Sequence, residues 1–314
     1  MLSAMADTGL TPYLMALRPH QWSKSLVVFA APLFSFQFSH VIFLNSFLAF
    51  TLFCATSSGF YLINDSFDVK SDRRHPVKCK RPIAAGLVSI PEALLLAALL
   101  LIIAVVFGWR HAHLLGATLV AYALLQVAYN LKLKQTVILD IVAIATGFVL
   151  RACAGAAATG ITLSTWFLVC TAMLALFLGV EKRKAELRLG QIQGTNTRKV
   201  LNRYSLPLLN RIESTVTTGA VMSYALWSAG PVLQGAPTPW MMITLPFVLY
   251  GIFRYQLLSD PSEVARQSHG PSYGGRGERP EEILLTDRPM ALVVVVWAIA
   301  VVVILFLHKQ GLLP

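Results

Sequence analysis

The stretch Tyr61-Leu62-Ile63-Asn64-Asp65-Ser66-Phe67-Asp68-Val69-Lys70-Ser71-Asp72 closes an apolar run that spans about 41–62. A helix needs roughly 20 mostly apolar residues to cross a bilayer, so this segment reads as a membrane helix that ends in a row of acids. Runs of the same kind lie outward from it at 21–38, 90–108, 111–130, 136–158, 162–180, 212–230, 239–257 and 290–308, making nine stretches in all. Composition agrees, with 56% hydrophobic and only 13% charged residues, a balance suited to lipid and not to a soluble domain. The chain is predicted to be an all-α polytopic membrane protein, a single integral-membrane domain over 1–314.

The 26 Lys and Arg set the topology. Arg18 and Lys24 flank the first stretch, six lie in 64–88, Lys132 and Lys134 follow the fourth, eight lie in 181–211 and five between 254 and 288. Arg110 and Lys309 fall on the other side, and Arg151 lies inside the fifth stretch. Basic connections face the cytoplasm, which places the N-terminus inside, the C-terminus outside and the protein in the inner membrane. The loops or caps 64–88, 181–211 and 258–288 then share the cytoplasmic face, and Ser259 to Glu282, rich in Ser, Gly, Pro and Glu, reads as a mobile loop. The outer connections are short, so function is expected on the inner face. The net charge of +11 is spread over several loops of one face. That argues against a nucleic-acid partner and for lipid headgroups or a phosphorylated substrate. No cleavable signal is evident at the start. Cys54, Cys79, Cys153 and Cys170 lack metal-ligand spacing, so free thiols and no zinc site are expected.

Spacings of three, four and seven put Asp65, Asp68 and Asp72 on one face of a helix. Three stacked carboxylates at a membrane boundary repel one another and call for a cation. Oxygen-only ligands suit Mg²⁺, which takes a few carboxylates and leaves its other positions to water and phosphate. The plainer alternative is a solvated helix end, with the acids paired to Lys70, Arg73 and Arg74. Sharing a face where membrane chains avoid acids favours the metal. Downstream, Lys78-Cys79-Lys80-Arg81-Pro82-Ile83-Ala84-Ala85-Gly86 offers cations that can pair with phosphate oxygens.

Asn64-Asp65-x-x-Asp68-x-x-x-Asp72 followed by Arg81-Pro82-Ile83-Ala84-Ala85-Gly86 resembles the first signature of the UbiA superfamily of intramembrane prenyltransferases. The resemblance covers essentially the whole chain and implies a UbiA-like bundle with its active site at the cytoplasmic face. Aromatic prenyltransferases of that family carry a second Asp-rich motif, where this chain reads Gly179-Val180-Glu181-Lys182-Arg183-Lys184-Ala185-Glu186. Lys and Arg replace the Asp series. Together with Arg18-Pro19-His20-Gln21-Trp22-Ser23-Lys24, Tyr129-Asn130-Leu131-Lys132-Leu133-Lys134 with Asp140, Gly147 to Gly155 including Arg151, and Leu284 to Pro289, this resembles the decaprenyl-phosphate phosphoribosyltransferase branch. The resemblance implies a Mg²⁺-dependent pentosyltransferase. Its soluble partner is 5-phosphoribosyl 1-diphosphate, its lipid partner a polyprenyl phosphate, and a homo-oligomer is compatible with it.

On that reading Asp65 and Asp68, with Asp72 directly or through water, hold Mg²⁺ against the diphosphate, and Asn64 hydrogen-bonds beside them. Lys80 and Arg81 are expected at the diphosphate, Lys182 and Arg183 at the ribose 5-phosphate, and Lys24, Lys132 or Lys134 at the lipid phosphate. Tyr61 and Tyr129 are placed against the sugar, or are ordinary interfacial aromatics. Glu186 is a metal or ribose-hydroxyl ligand, and Glu181 balances Lys184 or Lys182. Arg151, eleven residues past Asp140, lies roughly 16 Å further along a helix. It is either a substrate contact or one half of a structural pair within the membrane. Trp22, Trp109, Trp166 and Trp240 read as interface anchors. The competing readings are a prenyl-diphosphate aromatic prenyltransferase and, from another class, a lipid or solute transporter.

Overall fold

The computed structural model describes residues 9–74, 78–193, 199–260 and 287–313, and helix is the only regular secondary structure among them. The long helices are His40–Phe67 (α1), Ile90–His111 (α2), His113–Leu131 (α3), Leu139–Thr159 (α4), Thr165–Gln193 (α5), Leu206–Ser228 (α6), Leu245–Ser259 (α7) and Arg288–Lys309 (α8). Seven spans among the described residues are long and apolar enough to cross a membrane: α1 to α4, Thr165–Arg188 of α5, Pro239–Ser259 and α8.

Two of the nine expected stretches are not among these spans. Residues 21–38 do not form one helix: Pro19–Phe29 is a 3-10 segment, followed by the short α-helix Ala30–Phe34. Pro32 lacks the N–H that a continuous helix would use. Residues 212–230 do lie in a helix up to Ser228, but α6 carries Arg211, Glu213 and many hydroxyls. Its Asn210, Ser214 and Thr217 line an open groove of about 310 Å³ with Gln256 of α7. The expected loops are partly helical too, since α1 runs into 64–88 and α5 continues to Gln193. Most of the 258–288 cap, including nearly all of the expected mobile loop, lies outside the described residues.

The chain falls into two compact units, the first being Met1–Leu33, Gln37–Asn130 and Leu150–Thr162. In it, Ser39 caps α1 by accepting from the Ile42 amide. Ser46, Thr56 and Ser66 donate to the carbonyls four residues back, which satisfies hydroxyls that lipid could not. Ala93 and Ala97 of α2 are fully buried with Leu62 and Ile83; small side chains of this kind let membrane helices approach closely. Ser89 and Glu92 form a reciprocal capping box at the start of α2. The outer side of α2 presents Leu95, Leu99, Ile102 and Phe107, an exposed apolar row that suits lipid. Gly155 in the second half of α4 packs on the 3-10 segment so closely that a Cβ there would lie 1.8 Å from the Val28 carbonyl oxygen. Only glycine fits at this approach.

The second unit is Phe34–Phe36, Leu131–Val149 and Leu163–Pro314. Its cores join α5 to α6 through Phe177, Val216 and Ala220, and Trp227 to Phe34, whose ring centroids are 5.1 Å apart edge to face. Tyr224 accepts from Trp297 Nε1 at 2.9 Å and lies 2.6 Å from Thr244 Oγ1. Asp287 caps α8 at the Met290 amide and holds Arg254 of α7 at 2.9 Å.

Candidate active site

In the first unit, α1 carries Asn64 and Asp65 on its last turn and stops at Phe67. Asp68 leaves the helix at φ −87°, ψ 4°, and one further helical turn follows over Val69–Asp72. The three aspartates therefore do not lie on one continuous helix. The Ser71 hydroxyl donates to the Asp68 carbonyl at 2.8 Å, a local bond of the kind that competes with helix propagation.

Asp65 and Asp72 are buried, at 4% and 3% exposure, and arginines supply their counter-charge. Arg18 Nη2 donates to both Asp65 oxygens, at 2.6 and 2.7 Å. Arg81 Nη1 reaches Asp65 Oδ1 at 2.9 Å and Asp72 Oδ2 at 2.6 Å. The alternative partners Lys70, Arg73 and Arg74 do not fill this role. Arg73 instead donates from Nε to the Ala84 carbonyl at 3.1 Å, securing the Arg81–Gly86 turn, in which Gly86 takes a left-handed φ of 79°.

Arg18 itself sits at φ 55°, uncommon for a side-chain-bearing residue, with its guanidinium carbon 4.9 Å from the Tyr61 ring centroid. The segment around it is pinned to α1: Trp22 Nε1 donates to Ser58 Oγ at 3.0 Å, and that hydroxyl donates to the Leu17 carbonyl at 2.8 Å. Trp22 is therefore a packing residue on α1. Tyr61 lies under an arginine.

Elsewhere in this unit Asn64, Asp68 and Lys24 are half-buried, Lys80 is exposed, and Tyr129 is half-buried near the end of α3. Arg151 is 6% exposed, and its guanidinium carbon lies 4.9 Å from the Phe53 ring and 5.0 Å from the Tyr122 ring. It also donates to the Tyr122 hydroxyl at 3.1 Å. Two aromatic faces and a phenol stabilise this buried cation.

In the second unit, Lys132 is exposed and Lys134 half-buried. The Lys/Arg-rich segment forms part of α5, and most of its charge is turned inward. Arg183, 1% exposed, donates from Nε to Asp140 Oδ2 at 2.7 Å and from Nη1 to Glu186. Tyr204 donates to Asp140 Oδ1 at 2.7 Å and accepts from the Ile138 amide at 2.7 Å. Burial first, and then this bond to Asp140, push the Tyr204 phenol above its ordinary pKa. Lys184 binds Glu181 at 2.9 Å and also Glu213, and Gln256 donates to the other Glu213 oxygen at 2.8 Å.

Arg183, expected at a substrate phosphate, is here enclosed and paired with two carboxylates of its own chain, Asp140 and Glu186. Glu186 is correspondingly a partner of Arg183, and Glu181 of Lys184. Lys182, one position round the helix, is half-buried. The sequence reading missed Arg18 as a partner of the acidic cluster, although the Arg18-Pro19 motif was visible. It also gave no role to Asp140, and Tyr204 left no signal.

Among the described residues no three His, Cys, Asp or Glu side chains are grouped to hold a metal by themselves, which departs from the expected three-aspartate ligand set. Two carboxylates nevertheless converge on one Arg81 nitrogen, the place a small hard cation would take. Mg²⁺ characteristically uses one or two carboxylates at about 2.0–2.1 Å and completes its shell with water and substrate phosphate. The donor set at Asp65 and Asp72 fits that habit.

Several apolar spans and an Asp/Arg cluster at a helix end define a multi-pass membrane protein. Residues 25–269 match the model of the UbiA prenyltransferase family, and the chain belongs to that family. It is 36% identical over 296 residues to the decaprenyl-phosphate phosphoribosyltransferase of Mycolicibacterium smegmatis, covering 90% of this chain and 88% of that protein. It is 34% identical over 299 residues to the protein of the same name from Corynebacterium glutamicum, covering 93% and 86%. Among solved structures it resembles a UbiA homolog from Archaeoglobus fulgidus bound to GPP and Mg²⁺, with a TM-score of 0.65 at 16% identity, covering 94% of this chain and 99% of that one. The all-α, UbiA-like fold expected from the sequence is therefore the observed one.

Proposed function

We propose that this protein transfers the 5-phosphoribosyl group from 5-phosphoribosyl 1-diphosphate to a polyprenyl phosphate, releasing diphosphate, with Mg²⁺. The observation that carries the reading is the fate of the second motif. In a prenyl-diphosphate transferase of this family a second acidic set is expected to be free for metal, whereas here Glu181 and Glu186 are bound to Lys184 and Arg183. The names of the relatives above support the same donor.

Asp65 and Asp72, with Asp68 beside them, are the residues that would hold Mg²⁺, which when bound neutralises charge on a diphosphate leaving group. Arg18 and Arg81 place positive charge at the same spot and stabilise the negative charge that grows on the departing oxygens. Asn64 is a neutral hydrogen-bonding neighbour. An oxygen of the lipid phosphate attacks ribose C1, the C1–O bond to diphosphate breaks, and C1 inverts. A phosphate monoester has a second pKa of about 6, so the nucleophile is already largely deprotonated at neutral pH and no general base is required. Positioning carries the rate. Lys24, Lys132 or Lys134 is assigned to the lipid phosphate, Lys80 to the diphosphate and Lys182 to the ribose 5-phosphate, while Tyr61 and Tyr129 are aromatic neighbours for the sugar.

The test is to incubate membranes containing the protein with radiolabelled phosphoribosyl diphosphate and polyprenyl phosphate, then extract with organic solvent. Mg²⁺-dependent label in the organic phase is expected. Label that moves only from a prenyl diphosphate to an aromatic acid would overturn the assignment, and solute movement across liposomes with no diphosphate release would replace it by transport.

A further inference from the structure

We propose that Arg81 is a resident counter-ion occupying the cation position between Asp65 and Asp72, so that this chain takes up a divalent metal only together with a diphosphate. The proposal rests on the metal–diphosphate part of the function above and adds the order in which the site is filled.

Arg81 and Arg18 are unlike in how they are held. Arg18 spends both of its contacts on Asp65, lies over Tyr61 and is fixed by a left-handed backbone just before Pro19. Arg81 divides one nitrogen between two carboxylates, projects from the turn that begins the Pro82–Gly86 segment and is 24% exposed. Asp65 and Asp72 are nearly enclosed, and in such a setting a cation cannot be withdrawn without replacement. A divalent ion, in turn, cannot share the position of Nη1 with a guanidinium. Exchange therefore requires both an incoming cation and a new acceptor for Arg81.

Formal charge points the same way. Asp65, Asp68 and Asp72 carry three negative charges against two from Arg18 and Arg81, and the neighbouring Lys70, Arg73, Arg74 and exposed Lys80 add more positive charge. This leaves little to attract a bare divalent ion. A diphosphate brings the missing negative charge, and its oxygens accept a guanidinium in charge-assisted, often bidentate fashion. Arg81 can then move from carboxylate to phosphate as the metal takes its place.

The experiment uses the full-length protein in detergent, with Mn²⁺ as the probe and inorganic diphosphate as the second ligand. Bound Mn²⁺ is read by equilibrium dialysis as metal held in the protein compartment in excess of the Mn²⁺ and Mn²⁺–diphosphate in the protein-free compartment, and the thermal midpoint by intrinsic fluorescence. Wild type should retain Mn²⁺ only when diphosphate is present. Arg81→Gln should bind Mn²⁺ alone at least about fivefold more tightly than wild type, the low end for coupling between two sites, and Mn²⁺ alone should raise its thermal midpoint. Arg81→Lys, which keeps the charge, should still require diphosphate. Wild type binding Mn²⁺ equally well with and without diphosphate would overturn the counter-ion role while leaving the metal site standing. Failure of wild type to bind Mn²⁺ under either condition would overturn the metal reading itself, and this proposal with it. Neither result depends on transferase turnover.

Discussion

Replacing Arg183 by leucine separates a structural cation from a substrate ligand. The arginine is 1% exposed and bridges Asp140, itself fully buried, and Glu186. Arg183→Leu leaves Asp140 with the Tyr204 hydroxyl on one oxygen and no cation on the other. Glu186, 13% exposed, can partly rehydrate. Removing one partner of a buried ion pair costs about 3–5 kcal/mol, and the partial relief at Glu186 places the expected loss near the lower end. At roughly 2–4 °C per kcal/mol for larger domains, the thermal midpoint should fall by about 6–12 °C.

The assay is thermal denaturation of detergent-purified protein, followed by intrinsic fluorescence and by the fraction that stays monodisperse. The Michaelis constant for phosphoribosyl diphosphate is measured well below the transition. Combining Arg183→Leu with Asp140→Asn removes the stranded charge and should recover part of the loss, a coupling within the roughly 0.5–3 kcal/mol seen for contacting residues. A variant that melts like wild type while its Michaelis constant rises about 100-fold would refute the structural assignment and return Arg183 to the phosphate.

Three further outcomes are expected. Gly155→Ala would place a methyl 1.8 Å from the Val28 carbonyl oxygen. Backbone must shift, at a cost of at least about 1–3 kcal/mol, so the variant should lose monodisperse yield, whereas Ala156→Gly should not. Tyr204 has its pKa raised above 10.0 by burial and by the bond to Asp140, so its stabilising contribution is complete below pH 10.0 and is lost as pH rises through the higher folded-state value. Tyr204→Phe should accordingly be less stable than wild type at neutral pH and show a shallower decline above pH 10.0 in a series of thermal melts. Asp72→Asn keeps the shape of its site but removes the charge that Arg81 pairs with and that the proposed Mg²⁺ would share. It should lower turnover by about 100-fold, the scale for losing one electrostatic contact to a developing charge, and turnover within about twofold of wild type would remove Asp72 from the machinery.

How far the sequence could be read varied with the kind of signal. Long apolar runs bounded by charge are local and cumulative, so α1 to α5, the span Pro239–Ser259 and α8 were legible from residue order alone. The run 21–38 is divided between the 3-10 segment Pro19–Phe29 and the helix Ala30–Phe34, a change of helix type that hydropathy averaged over a window does not register, whereas 212–230 does lie in a helix, α6, whose Arg211, Glu213 and successive hydroxyls lower its hydropathy. Within the site, the Asn64 to Asp72 spacing marked the acids, because their charge is costly at a membrane boundary whatever surrounds them. The need for a cation beside them could be inferred, but its source could not.

That source depends on distant parts of the chain. Arg18 and Asp65 lie 47 positions apart, Tyr204 and Asp140 64 apart, and Arg183 and Asp140 43 apart. The sequence by itself determined an all-α membrane protein with an acidic first motif and a basic second one, since these follow from composition, local period and motif order, and the motifs themselves resemble those of the UbiA family. Only the tertiary structure decided which of the basic residues are occupied inside the protein. A lysine or arginine reads the same in a sequence whether it faces solvent or a buried carboxylate, and burial is a property of packing between segments that the chain order does not bring together.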